Sequence, residues 1–303
     1  MIDHIIYNRM LLNSVINLYN YNIMPPQKII GVYAPPISQT SDSEFQTHNE
    51  DYVWITPIHL QEIKMLNSNN IKTVILPYNL SPDAYDDYLE KLDAIYVCGS
   101  PVLESFECIS TKEFSRHQNT LKVLLTKITH INKHRSFPIL AVCHGYELLI
   151  KIIENLPYTS TFLDTDYSIN YGMYNVKFIN EQNKYEVKNK MLLDFRIALT
   201  PKKFRKTKYL QKHYTIISVG EDNNKKPFVD FIKHKTLPFY LTKSHPLTDN
   251  KKIFREFINC IDDSDIKDIK LPYFKYRTYS INKFLNFPKI RPCDKIRVYN
   301  ISK

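Results

Sequence analysis

Phe137-Pro138-Ile139-Leu140-Ala141-Val142-Cys143-His144-Gly145-Tyr146-Glu147-Leu148-Leu149 is the most informative run in the chain. A short unbroken apolar stretch, the length of a strand, ends at a cysteine. A glycine follows two residues later, and apolar residues then continue at helical spacing. Strand, sharp turn and helix in that order form a nucleophile elbow, which exposes the cysteine sulfur at the edge of a sheet. The new helix points its positive end at that sulfur and favours the thiolate. A lone cysteine is more often packed as a small apolar residue, so the elbow by itself leaves both roles open for Cys143.

The same alternation extends on both sides. Lys28 to Tyr33 reads as a buried strand, residues 52–68 as a helix with apolar Ile55, Ile58, Leu60, Ile63 and Leu66, and residues 72–77 as a second strand. A helical stretch over 84–92 leads to the strand Ala94 to Val97, which runs into Cys98-Gly99-Ser100, and a helix over 112–133 precedes the elbow strand. Strands alternating with helices predict an α/β fold, a three-layer sandwich on a mostly parallel sheet, with ligands at the carboxyl ends of the strands. The second half predicts shorter strands at 169–178, 214–219, 227–232 and 238–242, then a helix over 251–261. This gives one α/β domain over 28–262. An N-terminal extension over 1–27 precedes it, and a basic, aromatic extension over 263–303 follows.

With 43% hydrophobic residues the chain can fill a full core. Its five cysteines, at 98, 108, 143, 260 and 293, show no C-x-x-C pair, so neither a disulfide framework nor a zinc site is expected. Cys143, His144 and His245 lack the short paired spacing of metal ligands, and no cofactor is expected. No stretch is long and apolar enough to span a membrane and no secretory signal stands out, which suggests a cytoplasmic protein. Most of the formal charge of +10 sits in residues 271–303, where eight Lys or Arg face one acid, Asp294. Such a tail can dock on a protein partner or pack on its own domain through Tyr273, Phe274, Phe284 and Phe287; a nucleic-acid function is not favoured. A homodimer stays open.

Several short motifs, in order, resemble the γ-glutamyl hydrolase family of the class I glutamine-amidotransferase-like (flavodoxin-like) superfamily. Val142-Cys143-His144-Gly145-Tyr146-Glu147-Leu148 is similar to the T-C-L-G-F-E stretch around that family's nucleophile. Lys28 to Ala34 resembles its I-I-G-I strand, Asp93 to Ser100 its G-I-L-F-P-G-G-S turn, and Leu237 to Pro246 its P-V-Y-G-V-Q-W-H-P segment. Leu210 to Ser218 resembles a Q-N-H-x-x-G-I-S stretch that carries a second histidine. Gly31, Gly99 and Gly145 fall on motif glycines in a chain with only five glycines.

The resemblance implies a cysteine-dependent hydrolase of γ-linked glutamate amides such as folate poly-γ-glutamates. Cys143 would be the nucleophile and His245 its acid-base partner. Backbone N–H groups of Gly99 and His144 would hold the oxyanion, while His213 and Glu147 would contact the substrate. The basic run Lys202 to Lys208 would either meet the carboxylates of a polyglutamate or remain a solvated loop. The chain departs from the family's H-P-E at His245-Pro246-Leu247, where the orienting carboxylate is replaced by leucine. Asp249, a distant acid, or a Cys-His dyad could answer for the loss. The alternative is a catalytically degenerate relative, a binding or structural component of a larger assembly.

Overall fold

The computed structural model describes residues 28–37, 52–55, 57–67, 71–99, 111–157, 159–179, 185–195, 197–245, 252–261, 276–280 and 295–300. The N-terminal extension lies outside these residues, as do Leu247 and Asp249.

A nine-stranded sheet forms the frame. Its strands in chain order are β1 (Lys28–Tyr33), β4 (Ile71–Ile75), β5 (Ala94–Val97), β6 (Ile139–Val142), β7 (Ile169–Ile179), β8 (Tyr185–Phe195), β9 (Tyr214–Glu221), β10 (Pro227–His234) and β11 (Phe239–Thr242). Across the sheet the order is β4-β1-β5-β6-β11-β10-β9-β7-β8. A second, four-stranded sheet is built from β2 (Pro36–Ile37), β3 (Tyr52–Ile55), β12 (Tyr276–Ser280) and β13 (Lys295–Asn300), in the order β12-β13-β3-β2. The helices are α1 (Pro57–Asn67), α2 (Ala84–Lys91), α3 (Thr111–Ile131), α4 (His144–Ile153), α5 (Pro201–Lys206), α6 (Lys208–His213) and α7 (Lys252–Asn259).

The expectation of a mostly parallel sheet needs correction. From β4 to β11 every pairing is parallel, but β11-β10, β10-β9, β9-β7 and β7-β8 are all antiparallel. The sheet is therefore mixed. Strands β1, β5, β6 and β11 read as continuous apolar runs because neither face meets water. From β7 onward most consecutive strands join by short links, which permit only antiparallel neighbours.

Local chemistry fixes the elbow strand. The Asn132 side chain, just past α3, accepts from Phe137 N–H at 3.0 Å and donates to Phe137 O at 3.0 Å, closing the loop that launches β6. All four residues of β6 are buried between β5 and β11. Residues 52–68 do not form one helix: Tyr52–Ile55 pair with β13 as a strand, and α1 starts only at Pro57. Proline suits the first helical turn, because its missing N–H would have no partner there. The described strands of the C-terminal segment lie in the second sheet. Strand β13 is central there, pairing β12 on one side and β3 on the other.

Candidate active site

The site lies at the carboxyl ends of β5, β6 and β11. Cys143 follows β6 directly and adopts φ 57°, ψ −111°, a conformation that side chains rarely accept. Its N–H donates to Thr242 O at 2.8 Å, and its carbonyl accepts from Glu147 N–H in the first turn of α4. The elbow is thus locked by the neighbouring strand on one side and by the helix on the other.

Gly99 stands against it from the end of β5. A Cβ at Gly99 would sit 2.7 Å from Cys143 Cβ and 2.8 Å from the backbone nitrogen of His144, so the turn after β5 and the elbow touch closely. Gly145 repeats the demand in reverse, since a Cβ there would lie 2.5 Å from Val97 O.

His245 comes from the segment after β11. Its N–H donates to Leu192 O at 2.8 Å, so the edge strand β8 reaches back to hold it. Asp230 on β10 pins the residues just before it: its carbonyl accepts from Lys243 N–H at 2.7 Å, and its carboxylate accepts from Ser244 N–H at 3.0 Å and from Ser218 Oγ at 2.6 Å. The imidazole hydrogen-bonds Cys143. On its other side, His245 Nδ1 lies 3.0 Å from Glu62 Oε1. A carboxylate only accepts, so Nδ1 carries the proton and Nε2 is left for the sulfur.

Glu62, on α1, is not among the residues expected from the sequence. It is fully buried and, among the described residues, has three side-chain partners: His245, His59 with Nδ1 2.6 Å from Oε2, and Tyr96, whose hydroxyl donates a short bond to the same oxygen. Burial alone would raise its pKa, but the two imidazoles outweigh burial and hold it down at about 2. Burial likewise works to lower the pKa of His245, and the Glu62 charge together with Cys143 overcomes it, raising the imidazole to about 10. For His59 burial wins and the pKa falls. A hydrogen bond also links the His59 ring to the Gly99 backbone.

The sequence does carry a faint signal for Glu62. Among the described side chains of α1 the buried ones are His59, Glu62 and Leu66, an inward face that carries two ionisable residues at i, i+3. The apolar positions Leu60 and Ile63, which suggest the helix, are only partly buried.

Glu147 lies on the first turn of α4, but its carboxylate is occupied. Lys243, wholly buried, makes a short ion pair with it, and His144 Nδ1 is 3.2 Å away. Burial would raise the Glu147 pKa, yet Lys243 and His144 together draw it down to about 2. The Lys243 ammonium also lies 4.5 Å from the ring centre of Phe195, an arrangement in which the ring face attracts the cation. Burial lowers the His144 pKa.

His213 is not brought to this edge. It ends α6, its ring 4.4 Å from Tyr209 and 5.8 Å from His234, and His234 pairs with Tyr214 at the start of β9. That end of β10 faces Phe239, where β11 begins. His213 therefore sits at the amino end of the parallel strands, opposite Cys143, because α6 leads into β9, which two successive antiparallel pairings leave running the same way as β11. The basic run before it is not a loop but forms α5 and the start of α6, with Lys203 tied to Asp164 at 3.0 Å.

Among the described residues, His59, Glu62 and His245 offer ligand atoms within 4.8 Å of one another, a spacing that could hold a metal ion. The hydrogen bonds among them already use the same atoms. No described helix is long and apolar enough to cross a membrane.

No curated protein matches the chain. Among solved structures, a Thermoplasma acidophilum protein described as belonging to a GMP synthase is similar at 15% identity, covering 78% of this chain and 94% of its own, with a TM-score of 0.47. That score carries no weight for function. Residues 28–153, from β1 through the elbow helix α4, match the family model described as Peptidase C26, and this match supports a hydrolase of the glutamine-amidotransferase-like kind.

Proposed function

We propose that this chain is a cysteine-dependent γ-glutamyl hydrolase, cleaving γ-linked glutamate amides such as those of folate poly-γ-glutamates. The observation that carries the reading is Cys143 in its strained elbow at the head of α4, hydrogen-bonded to a buried His245 whose pKa is raised to about 10. A raised imidazole pKa means that the ring holds its proton through neutral pH, as a thiolate–imidazolium pair requires.

In the proposed reaction Cys143 Sγ attacks the γ-carbonyl and the oxygen takes up negative charge. The N–H groups of Gly99 and His144, adjacent across the elbow, stabilise it; one such donor is typically worth about 3 kcal/mol. His245 gives its proton to the leaving amine as the C–N bond breaks, leaving a thioester. Water then attacks the thioester, His245 takes up its proton, and the γ-acid leaves as the thiolate returns.

Release of glutamate from a pteroyl-oligo-γ-glutamate, run beside Cys143→Ala, tests this. Turnover in the parent protein and none in the variant is the expected outcome. Correctly folded parent protein without turnover, over several pH values and chain lengths, would leave the degenerate binding protein as the better reading. The apolar Leu247 is what favours that second reading, and the carboxylate that Glu62 places on His245 is what opposes it.

A further inference from the structure

We propose that Glu62 is the positioning carboxylate of His245, supplied by α1 in place of a residue following the histidine, and that His59 and Tyr96 form the clamp holding it there. The inference rests on the reading of Cys143 and His245 as the reacting pair.

The geometry is that of an orienting acid. One Glu62 oxygen meets His245 Nδ1 at 3.0 Å, which fixes the ring so that its other nitrogen faces Cys143. The second oxygen is taken by His59 Nδ1 and by the Tyr96 hydroxyl, so the carboxylate cannot rotate away without breaking two further bonds. His59 and Tyr96 also meet each other at 2.9 Å. A fully buried carboxylate with only one partner would be costly; three donors make it tolerable. In sequence, the position two after His245 is Leu247, which has no polar side-chain atom to offer an imidazole.

The clamp reaches further than the base. His59 hydrogen-bonds the Gly99 backbone, and Gly99 packs against Cys143 and His144. One buried network thus joins the carboxylate to His245 on one side and to the turn after β5 on the other. The titratable groups that face this centre are His59 from α1, Tyr96 and Cys98 from β5 and the residue after it, and Cys143 with His245 themselves.

A buried ion pair kept only for stability would show the same contacts, so the test must read the ring of His245 itself. Full-length protein with isotope-labelled histidine is titrated by NMR, with His245→Asn assigning the signal, and kcat and KM are measured in parallel. In the parent protein the His245 ring should titrate at about 10. In Glu62→Gln it should fall by about 1–3 units, with kcat reduced on the order of 10- to 100-fold and KM little changed. That loss is smaller than the ~10,000-fold a serine triad suffers, because a thiol ionises more readily than a hydroxyl. The alkaline limb of kcat/KM should move down with the ring. Tyr96→Phe removes one donor without removing charge and should give a smaller fall in both quantities. If Glu62→Gln does not fold, Tyr96→Phe and Glu62→Asp carry the test. A folded Glu62→Gln protein with unchanged His245 titration and unchanged kcat overturns the proposal. If the parent protein turns over no γ-glutamyl substrate but His245 still titrates high and falls in Glu62→Gln, the substrate reading fails and the clamp stands.

Discussion

Cys143, at φ 57° and ψ −111°, occupies a backbone conformation that costs on the order of 1–3 kcal/mol unless its surroundings enforce it. The enforcement comes from Thr242 O, from α4, and from Gly99, which leaves no room for a side chain of its own beside Cys143. Gly99→Ala should therefore do two things. Its Cβ would press on the His144 backbone nitrogen and on Val142 O, neither of which is a flexible side-chain tip, costing stability of about 1–3 kcal/mol. It would also push apart the Gly99 and His144 N–H groups proposed to hold the oxyanion, and should lower kcat by about 100-fold or more. Thermal denaturation and steady-state kinetics check both, and a variant that keeps its kcat would show that the oxyanion is held elsewhere. Among single residues the sequence is legible where chemistry is local: strand, cysteine, glycine and helix are contiguous, so Cys143, His144 and Gly145 can be placed without any tertiary knowledge. Glu62 cannot, because its contact with His245 spans 183 residues and nothing near either residue points to the other. His213 misleads for the complementary reason, since a histidine motif says nothing about which end of a strand it will occupy.

Between elements, a buried ion pair bolts the elbow helix to the segment after β11. The Lys243 side chain has no exposed surface, and its partner Glu147 is held at about pKa 2 by that lysine and His144 against the opposing effect of burial. A carboxylate whose folded pKa lies below its unfolded value adds stability above the unfolded value and loses it as pH falls toward the folded one. Lys243→Met removes the cation and leaves Glu147 charged and buried, which should cost about 3–5 kcal/mol at pH 7. The deficit should narrow as pH falls toward the ordinary carboxylate range, where the orphaned acid can take a proton. Adding Glu147→Gln to Lys243→Met should recover part of the loss at neutral pH. Denaturant unfolding of the two single variants and the double measures the coupling, and strict additivity would mean the pair does not act as one unit. The same occupied carboxylate bears on substrate contact: a Glu147 already neutralised by Lys243 is a poorer acceptor for a substrate ammonium than the sequence motif implies. Hydrophobic periodicity points to α2, α3, α4 and α7 and most strands of the large sheet, because those elements bury one face or two. It misses β8, where the polar run Lys188-Asn189-Lys190 breaks any apolar pattern, and it merges β3 into α1, because four residues cannot show which period they follow.

Across the full chain, the second sheet gives the C-terminal segment a place in the architecture. Charge and aromatic content leave open whether residues 263–303 dock on a partner or on their own domain, since no local pattern encodes a pairing with strands more than two hundred residues earlier. In the structure β13 pairs with β3 at Arg297↔Ile55 and Val298↔Trp54, and α1 begins two residues after Ile55. Strand β13 is thereby joined, through β3, to the helix that carries His59 and Glu62, so weakening the small sheet should be felt at the candidate site around His245. Val298→Pro tests this in the full chain. Proline removes a ladder N–H and is not accommodated in the middle of a strand paired on both sides. The nine-stranded sheet contains neither β12 nor β13 and should persist, so far-UV circular dichroism should change little. Amide exchange over residues 57–67 should accelerate as the anchor of α1 loosens, and kcat should fall together with the titration point of the His245 ring. Unchanged exchange in α1 with full turnover would mean that the tail decorates the domain without supporting its active site. Faster exchange with an unmoved His245 would mean that the His59–Tyr96 clamp alone is enough to hold Glu62 in place.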